Sequence, residues 1–232
     1  MGLKSVAFVL FVVVAASYAK SLANVKPCCY PDKYEISSGT QAGLSRNGRG
    51  TGYSIQSVSA VDATAMKIGE KGIFFEEDGT AHEFRNIKDY AKKEEYRIDP
   101  KGEQCEVEPL EEDMPLCVPE NATFSDSSYL GNDSLIVDSY IYFYNYPGYV
   151  VGHQSVGVAK EGCIPTSYTF SGSLGKGRRR TDILTITGFY NYKDGISDEA
   201  SFFDVPGYCE TSVNKNAELW ELLRYKQVPI HF

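Results

Sequence analysis

Residues 105–131 read CEVEPLEEDMPLCVPENATFSDSSYLG, and the fold of the chain depends on this stretch. It contains Cys105 and Cys117 together with prolines at positions 109, 115 and 119. Because proline fixes φ and removes a backbone donor, the stretch is predicted to be neither a helix nor a central strand. It is also too long for a hairpin loop. We therefore expect an irregular segment that its two cysteines tie to distant parts of the fold.

The N-terminus has the pattern of a secretory signal peptide. A short basic segment precedes an apolar run at residues 6–16, and Ser17 and Ala19 supply the small side chains of a cleavage site. The run is shorter than the roughly 20 residues that a membrane-spanning helix needs. We predict that residues 1–19 are a signal peptide, that residues 20–232 form a single domain, and that the protein is secreted, extracellular and not membrane-spanning.

The formal net charge of the chain is −8. An acidic surface argues against electrostatic attraction to nucleic acid or to anionic membranes. It leaves weak calcium binding open, although the acidic runs at 76–78 and 111–113 do not match the EF-hand loop. No other cofactor is predicted, and no residue is assigned as a metal ligand.

Six cysteines follow the predicted signal peptide, at positions 28, 29, 105, 117, 163 and 209. An even number of cysteines in a secreted chain predicts three disulfides. A zinc site is disfavoured because there is no CxxC pair and no histidine at ligand spacing. A bond between adjacent Cys28 and Cys29 requires a strained ring, so the two are expected to have different partners. Spacing alone leaves the pairing open.

Alternating side chains predict a mostly β protein. In residues 135–146 one face carries aliphatic residues and Phe143, whereas the other carries mainly tyrosines, and a period of two fits both faces. Gly- and Ser-rich residues 37–52 are predicted to be a loop, and residues 217–226 a short helix. Strands are predicted at 32–36, 53–66, 73–76, 81–84, 96–98, 103–106, 135–146, 149–160, 167–173 and 182–192. Antiparallel sheets with one or two short helices, packed on each other or curved around a cavity, suit this pattern.

No catalytic constellation is present in the sequence. The GxSxG, HExxH and kinase motifs are missing, every cysteine is accounted for by a disulfide, and runs of adjacent acids are usually solvated. We predict that the protein is not an enzyme and has no catalytic residue. The basic run at 176–180 is interpreted as a solvated hairpin tip, with a processing-protease site as the alternative.

Two sequons predict N-glycosylation. Asn121-Ala-Thr123 and Asn132-Asp-Ser134 both lack proline at the middle position. In a secreted chain these asparagines are expected to lie at the surface and to carry glycans.

A set of motifs in fixed order resembles the ependymin family of secreted glycoproteins. No single motif is specific, but the ordered set extends over residues 28–209. The motifs are Cys28-x-x-Pro31 followed by Tyr34-Glu35, Tyr96-Arg97-Ile98-Asp99 followed by Gln104-Cys105, Pro119-x-Asn121-x-Thr123-Phe124, Asp126-x-x-Tyr129-x-Gly131, Cys163-x-Pro165, and the run at 203–209.

The resemblance implies a curved antiparallel fold, a half-barrel or two-layer arrangement with a deep apolar pocket, similar to bacterial lipoprotein carriers. It also implies a homodimer, calcium-linked behaviour and contact with the extracellular matrix. By the same resemblance Cys28 pairs with Cys163, and Cys105 with Cys209. Cys29 and Cys117 are then left for each other, with an exchange of Cys28 and Cys29 as the alternative.

The leading hypothesis is a secreted, disulfide-bonded glycoprotein that binds a hydrophobic ligand, a lipid, in its β-sheet pocket. Strands that carry apolar or aromatic residues on both faces support a pocket, because a sheet with one solvated face alternates with polar residues. The predicted lining residues are Val137, Ile141, Phe143, Ile186 and Phe189. The alternative is an extracellular matrix or cell-adhesion glycoprotein that acts through its glycans and its acidic surface.

Overall fold

The computed structural model describes residues 25–132, 134–146, 150–175, 177 and 180–210. The predicted signal peptide, the predicted helix at 217–226 and most of the basic run at 176–180 lie outside the described residues.

The described chain forms one open antiparallel sheet, which confirms the predicted mostly β fold. Its strand order is β6-β5-β4-β3-β2-β1-β11-β10-β9-β8-β7. A short helix, α1 (Glu199–Phe203), and a 3-10 turn (Gly207–Glu210) follow the last strand. The strands are β1 (Lys33–Arg46), β2 (Arg49–Asp62), β3 (Lys67–Glu76), β4 (Ala81–Asp89), β5 (Glu94–Asp99), β6 (Gln104–Pro109), β7 (Thr123–Leu130), β8 (Leu135–Tyr146), β9 (Val150–Ala159), β10 (Pro165–Leu174) and β11 (Thr181–Asp194).

The loop predicted at residues 37–52 is wrong, because β1 and β2 form a long hairpin there. Ser38, Thr40 and Ala42 alternate with exposed or half-buried residues and are buried despite their small size. The hairpin turns at Asn47 and Gly48, whose φ angles of 53° and 77° suit a two-residue turn. The period of two in this segment is therefore carried by small buried residues. Because these positions lack large apolar side chains, the sequence pattern did not indicate strands there.

The stretch at 105–131 contains the two edges of the sheet, β6 and β7. Only residues 110–122, which we call the strap, are irregular, so the prediction is confirmed for the strap and wrong for its flanks. In a flat sheet the two edges would be roughly 48 Å apart. A fully extended chain from Pro109 to Thr123 spans about the same distance. Since the strap bends at a turn from Pro119 to Ala122, with an N–O distance of 2.9 Å, the sheet must curl to bring its edges together.

The strap covers one face of the sheet, which we call the inner face. Leu110, Met114 and Val118 of the strap are buried in one cluster with Phe84 of β4 and Tyr144 of β8. The cluster therefore combines side chains from both halves of the sheet, and the strap closes it.

Among the described residues, α1 and the 3-10 turn cover one end of the outer face. Phe202 of α1 is buried against β3, with Lys71 Nζ 4.1 Å from its ring centroid. Asp198 caps α1 by accepting a hydrogen bond from the Ser201 backbone nitrogen at 3.2 Å. The approach is so close that a Cβ on Gly69 would lie 2.6 Å from the Phe202 carbonyl oxygen.

Three disulfides join Cys28 to Cys163, Cys29 to Cys117, and Cys105 to Cys209. This is the pairing that the family resemblance implies. The first two attach the N-terminal segment to the turn between β9 and β10 and to the strap. The third fastens β6 to the 3-10 turn behind α1.

Candidate hydrophobic-ligand site

The inner face of the sheet is rich in buried tyrosines. Tyr140 donates a hydrogen bond to the Lys26 carbonyl oxygen at 3.1 Å, and Tyr144 donates one to Gln154 Oε1 at 2.5 Å. The buried tyrosines of this cluster are Tyr30, Tyr34, Tyr53, Tyr90, Tyr140, Tyr144 and Tyr168. Seven phenol rings make this surface apolar in its body and hydrogen-bonding at its tips.

The hydroxyls of Tyr30, Tyr90 and Tyr168 are buried and have no hydrogen-bond partner among the described residues. Folded proteins satisfy nearly all buried polar groups, since each unsatisfied one costs about 1–3 kcal/mol. All three tyrosines belong to the buried cluster of the inner face.

Burial keeps these phenols neutral. It raises the pKa of Tyr168, Tyr30 and Tyr53 well above the ordinary value, and it raises the pKa of Tyr90 to about 12. The cause in each case is the cost of desolvating a phenolate. At neutral pH every one of these groups is therefore a hydrogen-bond donor and carries no charge.

The inner face changes character towards β4, β5 and β6. Lys88 Nζ lies 2.6 Å from Glu112 Oε1 of the strap. Arg97 is 2% exposed and contacts the carboxylates of Glu95, Glu106 and Glu108 at 3.1, 3.4 and 2.8 Å. The surface under the strap thus has a charged end and an aromatic end.

The five predicted lining residues do not share a face, which corrects the sequence prediction. The register places Val137, Ile141, Phe143 and Ile186 on the outer face, where Phe143 is 69% and Ile186 is 53% exposed. Phe189 packs against the inner cluster. The prediction favoured the aliphatic face of β8, but the tyrosine face is the one that is buried.

The sequence did contain a signal for the inner face. Tyr140, Tyr142 and Tyr144 recur at every second position of β8. A phenol buries its ring as well as an aliphatic side chain does and needs only one polar partner, so this row was a better indicator of the covered face.

A cavity of about 260 Å³ opens near the start of β2 and the end of β3, beside the β3–β4 turn. Its carboxylates already have partners: Glu76 contacts His82 at 2.6 Å, and Glu77 accepts a hydrogen bond from Thr51 at 3.3 Å. Its lining residues are Thr51, Gly52, Tyr53, Phe74, Glu76, Glu77 and Asp78. Tyr53 and Phe74 belong to the inner-face cluster, so this cavity opens beside that cluster.

Within the described ranges, no three His, Cys, Asp or Glu side chains are grouped closely enough to hold a metal ion. Calcium binding therefore stays a prediction without an assigned site. Asn121 and Asn132 are both exposed, and glycosylation at these asparagines also stays a prediction. No helix in the part of the chain that the structure describes is long and apolar enough to cross a membrane.

A family model described as Ependymin matches residues 78–209, which include the strap, most of the inner-face strands and the third disulfide. The chain belongs to the ependymin family. This confirms the resemblance that the ordered motifs indicated.

Two relatives show how the family resemblance is distributed. The chain is 34% identical over 131 residues to Ependymin-related protein 2 of Haliotis asinina, a match that covers 54% of this chain and 63% of that protein. It is 26% identical over 181 residues to Development-specific protein LVN1.2 of Lytechinus variegatus, covering 72% of this chain and 96% of that protein.

Among solved structures, the chain is similar to a putative outer membrane lipoprotein-sorting protein domain from Vibrio parahaemolyticus. The TM-score is 0.28 at 12% identity, and the match covers 80% of this chain and 93% of that domain. Similarity at this level says nothing about what this ependymin-family chain binds.

Proposed function

We propose that this ependymin-family protein is secreted and binds a hydrophobic ligand, a lipid, on the inner face of its sheet beneath the strap. The observation that carries the proposal is the set of three buried phenol hydroxyls, at Tyr30, Tyr90 and Tyr168, that have no hydrogen-bond partner among the described residues. A protein core built for packing alone would have phenylalanine at such positions, because a buried hydroxyl without a partner lowers stability.

The composition of the inner face also supports a lipid. Its aromatic part gives an acyl chain apolar contacts, and ligand sites of this kind combine an apolar lining with a few polar groups. Ser38 pairs with Ser57 at 2.9 Å and Thr40 with Thr187 at 2.8 Å, so the small polar residues of the central strands satisfy each other. The unpartnered phenols are therefore the hydrogen-bonding groups that a ligand can use.

Native mass spectrometry of the protein secreted from eukaryotic cells tests the proposal. We expect a co-purified mass that disappears on organic extraction, and rebinding of a fluorescent fatty acid by the extracted protein. An extracted protein that binds neither fatty-acid nor phospholipid probes would remove lipid binding as the function.

A pair of neighbouring substitutions on β1 locates the site. Ala42 is buried on the inner face, and Gln41 is exposed on the outer face. Ala42→Phe adds a large side chain to the inner face and is expected to reduce probe binding at least ten-fold. Gln41→Phe adds the same side chain to the other face and should leave binding unchanged. Equal binding by the two folded variants would place the ligand elsewhere; Ala42→Leu gives the same test if the larger residue prevents folding.

The proposal includes N-glycosylation at Asn121 and Asn132 and assembly as a homodimer. The exposure of both asparagines supports glycosylation, and a mass decrease after glycosidase treatment tests it. The exposed Phe143 and Ile186 on the outer face support self-association, which light scattering of the purified protein tests.

A further inference from the structure

The β7–β8 hairpin ends in a group of exposed apolar side chains, which we call the tip patch. Tyr129 and Leu130, the last residues of β7, are 66% and 62% exposed. Leu135 and Ile136, the first residues of β8, are 37% and 43% exposed. Single apolar residues are common on protein surfaces, whereas several together mark a surface that another group contacts.

The tip patch has an aromatic side and an aliphatic side. Tyr129 pairs with Ile136, and Leu130 pairs with Leu135. Directly opposed residues of antiparallel strands project from the same face of a sheet, and consecutive residues project from opposite faces. Tyr129 and Ile136 therefore lie together on one face of the hairpin, and the two leucines lie together on the other.

The turn between the two strands carries Asn132, one of the two predicted glycosylation sites. The Ser134 backbone nitrogen donates to the Gly131 carbonyl oxygen at 3.2 Å, and Ser134 Oγ donates to the Leu130 carbonyl oxygen at 3.2 Å. Gly131 and Asn132 have φ angles of 62° and 53°, a left-handed backbone that suits these two residue types. Asn132 follows Tyr129 by three residues, so their Cα atoms are at most about 10 Å apart. A sugar attached to Asn132 is thus within reach of the Tyr129 ring.

We propose that the glycan on Asn132 folds back onto the tip patch and that its first N-acetylglucosamine packs on the Tyr129 ring. This inference rests on the N-glycosylation proposed above. A pyranose presents several C–H bonds on one of its faces, and their partial positive charge suits the negative face of an aromatic ring. The contact also removes apolar surface of Tyr129 and Ile136 from water.

The covalent link allows a weak contact to form. Two free molecules lose translational and rotational freedom when they associate, whereas a glycan held on Asn132 is already at a high effective concentration beside Tyr129. The contact matters for the fold because β7 is exposed at every residue except Phe124, so its attachment to β8 depends mainly on backbone pairing. The glycan therefore acts as a structural part of this edge hairpin.

Thermal unfolding of the secreted full-length protein tests the proposal in the Asn121→Gln variant, in which Asn132 carries the only predicted glycan. The intact mass shows whether Asn132 is occupied. Three forms are compared: the protein with its whole glycan, the protein trimmed by an endoglycosidase to the first sugar, and the protein from which an amidase has removed the glycan. We expect the first two to melt at the same temperature. The third should melt roughly 2–4 °C lower, the shift that loss of one aromatic packing contact causes in a domain of this size.

Substitutions at Tyr129 separate the ring contact from other effects of the glycan. In Tyr129→Ser the three forms are expected to melt together, whereas Tyr129→Phe keeps the ring and should keep the difference. The amidase also converts Asn132 to aspartate, and the comparison with Tyr129→Ser corrects for this because both proteins undergo the same change. Leu130→Ser is the matched control, since Leu130 is nearly as exposed but lies on the other face, and it should leave the difference unchanged.

Nuclear magnetic resonance checks the contact directly. Protons held over the face of an aromatic ring are shifted upfield by its ring current. The protons of the first sugar should therefore have upfield chemical shifts in the trimmed protein and ordinary chemical shifts in trimmed Tyr129→Ser.

The outcomes separate the inference from the proposal on which it rests. An Asn132 that carries no glycan would remove both. An occupied Asn132 with equal melting temperatures in all three forms, or with the same loss in Tyr129→Ser, would overturn the inference and leave glycosylation standing. Dimerisation of the fully glycosylated protein that Tyr129→Ser abolishes would show that a second copy of the chain covers the tip patch, which also overturns the inference.

Discussion

Replacing both Cys29 and Cys117 with serine is expected to destabilise the protein by about 4 kcal/mol in the chain-entropy model. The two cysteines are 88 residues apart in sequence. The Cys28–Cys163 bond shortens the loop that the Cys29–Cys117 bond closes in the unfolded chain. A path from Cys29 across the Cys28–Cys163 bond and back along the chain reaches Cys117 in roughly 50 residues. The logarithmic dependence on loop length makes this correction small, about half a kcal/mol.

The folded state of the double variant should keep its strap in place. The backbone nitrogen of Tyr30 donates to the Leu116 carbonyl oxygen at 2.8 Å, and that of Val118 to the Cys28 carbonyl oxygen at 2.9 Å. Buried Leu110, Met114 and Val118 provide further contacts. The loss of stability is therefore expected to arise in the unfolded chain, which gains conformational freedom.

Urea unfolding and thermal unfolding measure the effect. We expect a lower midpoint with a nearly unchanged dependence on urea, and a melting temperature lower by roughly 8–16 °C. Glu120→Gln, an exposed change on the strap, is the control and should have no effect. A loss below about 1 kcal/mol would refute the entropic reasoning, because a loop of this length cannot contribute so little on that model. An early transition confined to the strap would show that the bond acts on the folded state instead.

Three further predictions concern the rest of the fold. Gly69→Ala forces a Cβ to within 2.6 Å of the Phe202 carbonyl oxygen and should lower the free energy of unfolding, measured with urea, by about 1–3 kcal/mol. Gly43→Ala is the control and should be nearly neutral, because its Cβ would have no atom within 4 Å. Burial raises the pKa of Tyr168, so above pH 10 the unfolded chain releases a proton that the folded chain retains. The free energy of unfolding should thus be unaffected below pH 10, and above pH 10 it should fall by about 1.4 kcal/mol per pH unit for each such phenol. A urea midpoint that stays constant to pH 11 would contradict this prediction. Arg97→Met removes the cation that contacts three buried or half-buried glutamates and should lower the free energy of unfolding by about 3–5 kcal/mol; a loss below about 1 kcal/mol would argue against the ion network.

The strands with large alternating side chains could be predicted from the sequence, whereas β7 could not. β8 begins and ends as its pattern indicated, because its alternation of aliphatic and phenolic residues is continuous. β7 is exposed at every residue except Phe124, so no hydrophobic period distinguishes it from a loop. Its conformation depends on backbone pairing with β8, which is a property of the folded sheet.

The face that carries the proposed ligand site was the least predictable feature, because periodicity does not say which face of a strand is covered. In β8 both faces are apolar enough to be buried, and only the path of the strap selects the tyrosine face. The strap's own path depends on Cys117 and on burial of residues such as Met114, neither of which has a local sequence signal. The pairing of Lys88 with Glu112 is equally non-local, since each is an ordinary surface residue type in its own segment.

The edge strands of an open sheet tend to pair with other chains. The strap affects this tendency as well as the proposed ligand site. β6 ends at a proline and carries Glu106 and Glu108, and β7 is mostly polar, so both edges are poor templates for further strands. The strap leaves one edge at Pro109 and enters the other at Thr123, and its middle is held by the Cys29–Cys117 bond. The sheet cannot flatten without extending the strap fully and breaking its contacts. The same thirteen residues that limit the separation of the edges therefore also set the depth of the inner face, and a ligand bound there must fit the space that the strap allows.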